Sequence, residues 1–234
     1  TSTYCDAVNQ AQAALAEGLR YLDHLPNPPE GYNNPVTKVE RPFDLESLRY
    51  REPVYVAEQN KHINLVPRAV ENFVQRMNAL PEESAKLFVI GIGTGGTISM
   101  APKVAGGPLV PELDFQSIIQ KTDPRLNDEF EVEGLDAFAT DSSQLEIDDV
   151  GDLAIAMCYI WENMKPSLRN RFAGFLVIHG TDTMPKSGDH LEMMLGGNMP
   201  FNVVHTGAQK AINAKINDAQ DNVKHSLYML KMLL

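Results

Sequence analysis

The sequence predicts an α/β fold, in which a parallel sheet is flanked by helices and preceded by a helical and extended leader. Two observations support this prediction. From residue 86 onward, short apolar runs with the length of strands alternate with amphipathic stretches of helical period, and this alternation is typical of parallel sheets covered by helices. The composition also changes near residue 85. We therefore predict an N-terminal extension over residues 1–85 and an α/β domain over residues 86–234.

The leader contains two predicted helices joined by an extended connector. Residues 4–22 are rich in alanine and carry apolar residues near helical spacing. Residues 26–42 are rich in proline and predict an extended chain. A second helix is predicted over 67–80, because Pro67 suits a first helical turn and Pro81 ends the helix. We expect the leader to be a packing arm that covers the main domain or a sister subunit.

Four strands and three helices are predicted in the main domain. The strands are the apolar runs at 86–92, 135–140, 174–179 and 201–206. The helices are the amphipathic stretches at 148–164, 189–196 and 216–234. Ser143 and Glu146 have the spacing of a capping box and predict the start of the first of these helices.

Glycines, hydroxyls and carboxylates follow each predicted strand. The four segments are Thr94-Gly95-Gly96-Thr97, Asp141-Ser142-Ser143, Gly180-Thr181-Asp182-Thr183 and Gly207-Ala208-Gln209. Because parallel strands end at the same edge of a sheet, these segments should line one crevice. Hydroxyls beside a carboxylate suit covalent acyl transfer, and glycine-rich turns can offer backbone N–H groups to an oxyanion. The crevice has no metal-ligand spacing and no phosphate loop, so we expect neither a metal nor a cofactor.

Two of these segments resemble the signature motifs of the bacterial-type L-asparaginase/glutaminase family. The motifs are TGGTI at 94–98 and HGTDTM at 179–184, and the resemblance extends over roughly residues 86–230. It implies an amidohydrolase that releases ammonia from L-asparagine, or else from L-glutamine, through an acyl-enzyme. It further implies that Thr97 is the nucleophile, that Thr181 is a second catalytic hydroxyl, and that Asp182 holds the substrate's α-amino group.

The same resemblance implies a substrate-binding set around these three residues. Ser142 would hold the α-carboxylate with Ser143 nearby, and the full set is Asp141, Ser142, Ser143, Gly180 and Ala208. His179 fits its motif but is expected to be a structural hydrogen-bonding residue.

The chain departs from the family pattern in two places. Family members place a tyrosine on the loop after the first motif, whereas residues 99–115 contain none. The family's catalytic lysine lies beyond the helix predicted at 216–234. We therefore expect the chain to be C-terminally incomplete and to lack that lysine and a smaller second domain.

Three alternatives remain open on the sequence. Residues 91–96 read G-x-G-x-x-G after a strand, so a NAD-dependent oxidoreductase is the first, although Pro102 argues against the helix that this fingerprint needs. The second is a non-catalytic relative that binds amino acids or a partner subunit. The third stays within the family and releases ammonia from glutamine, for example during amidation of misacylated tRNA.

Composition limits the possible partners and location. The net charge of −11 repels phosphate backbones and anionic lipids, so neither nucleic acid nor a membrane is an expected partner. Cys5 and Cys158 are far apart and predict free thiols in a reducing compartment. We therefore predict a cytoplasmic protein. The family resemblance adds a small amino-acid substrate and a homodimer or homotetramer.

Overall fold

The structure, a computed structural model, describes residues 44–102, 109–111, 114–196 and 199–234. Its strands are β1 (Val54–Val56), β2 (Lys61–Ile63), β3 (Leu87–Gly95), β4 (Met100–Pro102), β5 (Leu109–Pro111), β6 (Phe130–Thr140), β7 (Phe172–Ile178) and β8 (Val203–Thr206). Its α-helices are α1 (Pro67–Asn78), α2 (Phe115–Gln120), α3 (Leu126–Glu129), α4 (Ile147–Glu162), α5 (Pro166–Arg169), α6 (Met184–Leu195) and α7 (Ala219–Met232). The helix predicted at 4–22 and the connector at 26–42 lie outside the described residues.

Six of the strands form one mixed sheet in the order β1-β2-β6-β3-β7-β8. The four strands predicted from the sequence, β3, β6, β7 and β8, pair in parallel as expected. β6 begins at Phe130, earlier than the predicted start at residue 135. β4 and β5 pair with each other as a separate two-stranded sheet.

The two remaining strands of the main sheet come from the predicted leader. β1 pairs antiparallel with β2, and β2 pairs antiparallel with β6. α1, predicted at nearly these bounds, buries Phe73 and Met77 in the same core as α4. The compact unit runs from Pro42 to Leu234. The described part of the predicted extension thus contributes β1, β2 and α1 to the sheet and core of the main domain.

Helices cover both faces of the sheet, each over its own apolar core. Successive side chains of a strand point to opposite faces, and β7 divides its residues accordingly. Phe175 and Val177 pack in the core beneath α1, α4 and α6. Leu176 and Ile178 pack in the core beneath α2, α3 and α7. This arrangement of helix, sheet and helix confirms the predicted fold class.

The start of α4 differs from the predicted capping box. Glu146 is itself the N-cap, and the Asp149 side chain accepts a hydrogen bond from the Glu146 backbone N–H at 2.7 Å. Ser143 lies in the preceding single turn, where its hydroxyl donates to Asp141 at 2.7 Å. The prediction that Ser143 caps the helix is wrong, because the Asp141 carboxylate already holds that hydroxyl.

The last described helix, α7, confirms the helix predicted at 216–234, although it begins at Ala219. Leu230 is fully buried, whereas Met229, Met232, Leu233 and Leu234 are exposed. Among the helices in the described ranges, none is long and apolar enough to cross a membrane.

Candidate active site

The candidate site lies at the carboxyl edge of the parallel strands, where four loops converge. The loops follow β3, β6, β7 and β8, and they contain the segments singled out in the sequence. Their positions are fixed by glycines, since each loop approaches another more closely than a side chain would allow.

The closest approach joins the loops after β3 and β7. Gly96 has φ +78°, a conformation that favours glycine, and a methyl group added there would lie 2.5 Å from the Cα atom of Gly180. Real Cβ atoms do not come this close to backbone atoms, so the two loops touch main chain to main chain. Thr97 and Thr181 are the residues that immediately follow these two glycines. The structure therefore brings the two predicted hydroxyl residues onto adjacent backbone segments.

The other two loops join this pair through similar contacts. A methyl group on Gly95 would lie 2.4 Å from the carbonyl oxygen of Thr140, at the end of β6. A methyl group on Gly207 would lie 2.4 Å from the carbonyl oxygen of His179, at the end of β7. The backbone N–H of Gly96 also donates to the Thr140 carbonyl at 2.9 Å. All four predicted segments thus belong to one cluster of loops.

The loop after β3 carries Thr97 at the start of a single 3-10 turn, Thr97–Ser99. Thr97 is half-buried, whereas Thr94 is buried and its hydroxyl donates to the carbonyl oxygen of Ile178 at 3.0 Å. Of these two threonines, Thr94 serves to tie β3 to β7, and Thr97 is the one placed at the surface of the loop cluster.

The loop after β6 presents Ser142 to the loop after β7. A methyl group on Gly180 would lie 2.6 Å from both the Cβ and the Oγ atom of Ser142, and the Thr183 hydroxyl donates to the Ser142 carbonyl at 2.8 Å. Asp141 and Ser143 are exposed, and the Asp141 carboxylate accepts from both the backbone N–H and the hydroxyl of Ser143. Asp141 therefore shapes the turn that places Ser142.

The loop after β8 holds a hydrogen-bond chain to Thr181 that sequence reasoning missed. The side-chain amide of Gln209 donates to the Thr181 hydroxyl oxygen at 3.1 Å. The Asp218 carboxylate accepts from the backbone N–H groups of Gln209 and Lys210 at 2.9 and 3.2 Å, and these hydrogen bonds lower the pKa of Asp218. The Asn222 amide donates to the Gly207 carbonyl at 2.9 Å. The available signal was the set of polar residues Asn217, Asp218 and Asn222 at the start of the helix predicted at 216–234.

Two predicted residues differ sharply in exposure. Asp182 is exposed next to Thr181, so its carboxylate can meet a ligand from solvent. Ala208 is 1% exposed and packs in the core beneath α7, so its side chain is structural.

His179 is buried beneath the site and makes a hydrogen bond to the backbone, as expected of a structural residue. Its ring Nδ1 lies 2.7 Å from the Gly180 carbonyl oxygen, to which a protonated Nδ1 donates. Burial lowers the pKa of His179. Its ring is stacked on that of His205, with centroids 6.1 Å apart. His179 thus supports the backbone of Gly180.

The geometry of the β3 loop argues against a dinucleotide site. That site needs a helix that begins at the last glycine of the fingerprint, with its N-terminus facing the pyrophosphate. Here Gly96 is followed by the turn Thr97–Ser99 and then by β4. No group of three or more metal-ligating side chains is found in the ranges that the structure describes.

Comparisons with known proteins agree with this geometry. The family model of the asparaginase N-terminal domain matches residues 88–232. An L-asparaginase of Thermococcus kodakarensis is 29% identical over 142 residues, which cover 61% of this chain and 39% of that protein. A 60 kDa lysophospholipase of Mus musculus is 31% identical over 157 residues, which cover 60% of this chain and 27% of that protein.

The solved structure of the thermostable L-asparaginase from Thermococcus kodakarensis superposes with a TM-score of 0.53 at 26% identity, over 62% of this chain and 41% of that one. The chain therefore spans well under half the length of the relatives it matches. The matched region contains β3, β6, β7 and β8 together with all four loops of the candidate site. This chain belongs to the asparaginase family, and its residues 88–232 are the family's N-terminal domain.

Proposed function

We propose that this chain is the nucleophile-bearing part of an amidohydrolase that releases ammonia from L-asparagine, with L-glutamine as the alternative amide. The observation that carries the proposal is the backbone contact between Gly96 and Gly180, which puts Thr97 and Thr181 on adjacent loops. Two hydroxyls beside an exposed carboxylate suit covalent acyl transfer from an amide. The family membership of residues 88–232 supports the same reaction.

The reaction would proceed through an ester on Thr97. The Thr97 oxygen attacks the side-chain carbonyl carbon of asparagine, and its proton passes to a base. The C–N bond then breaks, and the nitrogen leaves as ammonia after taking up a proton. Water attacks the resulting ester, which releases L-aspartate and restores the Thr97 hydroxyl. Backbone N–H groups of the loops around Thr97 and Thr181 would stabilise the oxyanion at each step.

Thr181 is suited to proton transfer by the hydrogen bond that it receives. Because Gln209 donates to the Thr181 oxygen at 3.1 Å, the hydroxyl proton of Thr181 remains available to a substrate or water oxygen. Thr181 would therefore orient the attacking water or assist the proton's movement. This role needs no metal and no cofactor.

The substrate's charged ends would be held by neighbouring residues. The exposed Asp182 carboxylate would bind the α-ammonium group, in a charge-assisted hydrogen bond. Ser142, supported by Asp141 and Ser143, would bind the α-carboxylate. Gly180 and Ala208 would contribute backbone groups, since the Ala208 side chain is buried. A homodimer or homotetramer would complete the working form.

The test is ammonia release from L-asparagine by the whole protein that contains this chain, compared with its Thr97→Val variant. We expect the variant to fold and to lose turnover by several powers of ten, since valine has no hydroxyl with which to form the ester. Thr122→Val is the matched control, because the Thr122 hydroxyl donates to the Ile118 carbonyl within α2 and lies outside the four loops. Near-normal ammonia release by folded Thr97→Val would refute the role of Thr97.

A lysophospholipase activity is the second candidate, favoured by the 31% identity to the murine 60 kDa lysophospholipase. A hydroxyl nucleophile also cleaves esters by attack on the carbonyl carbon. The same protein should therefore be assayed for fatty-acid release from lysophosphatidylcholine. Fatty-acid release without ammonia release would replace the amidohydrolase proposal, whereas binding of L-aspartate without either reaction would favour a non-catalytic relative.

A further inference from the structure

Residues 44–65 lie outside the matched family domain, yet they reach the loop that would hold the substrate. β2 pairs His62 with Ala139 and Ile63 with Phe138, close to the end of β6. The backbone N–H groups of Asn64 and Leu65 both donate to the Ala137 carbonyl, at 2.9 and 3.0 Å. This segment therefore fixes the last residues of β6 just before the Asp141-Ser142-Ser143 loop.

One side chain of this segment passes beneath that loop. Lys61 is 1% exposed, although lysine is almost never buried unless it is paired. Its ammonium group donates to the Asp149 carboxylate at 2.7 Å and to the Gln144 carbonyl at 3.3 Å. Gln144 ends the single turn Ser142–Gln144. Lys61 thus joins the turn that carries Ser142 to the first turn of α4.

Arg49 binds the same helix end from a second direction. Its guanidinium donates to Asp149 and, at 2.9 Å, to Asp152, and it lies 3.6 Å from the Glu146 carboxylate. Asp149 is 1% exposed and also accepts from the Glu146 backbone N–H. Lys61 and Arg49 therefore neutralise a buried carboxylate that closes the loop at its far end.

We propose that Lys61, assisted by Arg49, is a positioning residue that holds the Asp141-Ser142-Ser143 loop in its substrate-binding geometry. Segment 44–65 is then a clamp on the site. The role assigned to the loop rests on the proposed function. The physical link is short, because the Lys61 ammonium binds the carbonyl only two residues after Ser142, and Ser142 touches Gly180. A hydrogen bond and an ion pair at this point limit how far Ser142 can move from Thr97.

The experiment replaces Lys61 in the whole protein. It measures both the hydrogen exchange of the loop's backbone amides and the steady-state kinetics of ammonia release. In Lys61→Met, hydrogen exchange of the Gln144 and Leu145 amides, which close the turn onto Asp141 and Ser142, should accelerate about tenfold or more. The KM for L-asparagine should rise between about tenfold and a hundredfold, as expected for a displaced binding group, while kcat changes much less. Arg51→Met is the matched control, since Arg51 is an exposed cation of the same segment that pairs with nearby Glu46.

A second variant covers the case in which Lys61→Met does not fold. Lys61→Met combined with Asp149→Asn removes both buried charges, and the new side-chain amide oxygen can still accept from the Glu146 N–H. This double variant should fold and still show faster exchange at Gln144 and a raised KM. Unchanged exchange and unchanged KM in a folded variant would overturn the clamp, as would equal changes in Arg51→Met. A wild-type protein that neither binds L-aspartate nor releases ammonia would overturn the proposed function instead, and the exchange comparison would still decide the clamp.

Discussion

Gly96→Ala is the most direct perturbation of the loop cluster, and Gly196→Ala is its natural control. The two glycines have nearly the same backbone conformation, with φ 78° and ψ 179° at Gly96 and φ 76° and ψ 161° at Gly196. Both therefore impose similar strain on an alanine. They differ in surroundings, since a methyl group on Gly96 would lie 2.5 Å from Gly180. A methyl group on Gly196 would have no atom of the described chain within 4 Å, its two chain neighbours apart.

The free energy of unfolding should separate the two variants. Alanine in this backbone region costs about 1–3 kcal/mol at either site. Forcing the Gly96 methyl against the Gly180 backbone adds about 1–3 kcal/mol of overpacking, so Gly96→Ala should lose about 2–6 kcal/mol in total. Replacing glycine by alanine also lowers the conformational entropy of the unfolded chain, which stabilises the folded protein. This contribution is the same for both substitutions and cancels when their free energies of unfolding are compared.

Urea denaturation of the whole protein measures both losses, with equal m-values as the check that only stability has changed. Gly96→Ala should also lose ammonia release even where it remains folded, because relief of the clash separates the loops of Thr97 and Thr181. Gly196→Ala should keep its activity. Equal destabilisation by the two substitutions would refute the inferred contact between the Gly96 and Gly180 loops.

Three further predictions concern side chains near the site. Asp182→Asn should raise the KM for L-asparagine by about tenfold to a hundredfold with little loss of stability, because a charge-assisted contact is worth about 1.5–3 kcal/mol; an unchanged KM would assign Asp182 to structure alone. Gln209→Met should lower kcat more than it raises KM, because it removes the hydrogen-bond donor to Thr181. Unchanged kcat and KM would show that Gln209 has no role in the reaction. Burial and the neighbouring His179 lower the pKa of His205 to about 4, so stability present above pH 6.5 should fall by on the order of 3 kcal/mol as the pH drops toward 4. The fall should be smaller in the His205→Gln variant. If the free energy of unfolding depends on pH in the same way in the variant and the wild type, the burial of a neutral imidazole is contradicted.

The sign of the His205 effect follows from where the proton binds. In the unfolded chain an imidazole takes up a proton near its ordinary pKa of about 6.5, whereas the folded chain resists protonation until about pH 4. Between these values the unfolded state binds more protons, so falling pH favours unfolding. Below the folded pKa both states are protonated, and the contribution stops changing.

The parallel strands and their loops could be predicted because their signals are local in the sequence. Each strand is an apolar run with glycine or hydroxyl residues at its end or within two residues after it, and parallel pairing brings those ends together whatever the rest of the chain does. Gly95, Gly96 and Gly180 were therefore correctly placed at one edge. The residues 130–134 of β6 were missed, because Glu131 and Glu133 interrupt the apolar pattern while their backbones still pair with β3.

The clamp could not be predicted, because its signals are not local. β1 and β2 are three residues each, too short to stand out from a polar leader. Lys61 looks like a surface residue until Asp149, 88 positions later, supplies its partner. Asp149 in turn resembles an ordinary acidic residue in a helix's first turn. Only the fold brings these two charges together, so neither sequence position alone indicates burial.

The glycines of the four loops have a common physical role in this chain. Gly95, Gly96, Gly180 and Gly207 each come so close to another loop that an added methyl group would lie within 2.6 Å of one of its atoms. They lie in three of the four loops, and every contact crosses from one loop to another. A larger residue at any of them would therefore widen the distance between hydroxyl groups rather than distort one loop locally. A covalent reaction is sensitive to displacements of about 1 Å at the reacting groups, so contacts of this kind give the site its rigidity. The Ser142 loop contributes no glycine of its own between Asp141 and Gln144. Lys61 and Arg49 therefore add charge and hydrogen bonding to the contacts that Gly95 and Gly180 make with this loop.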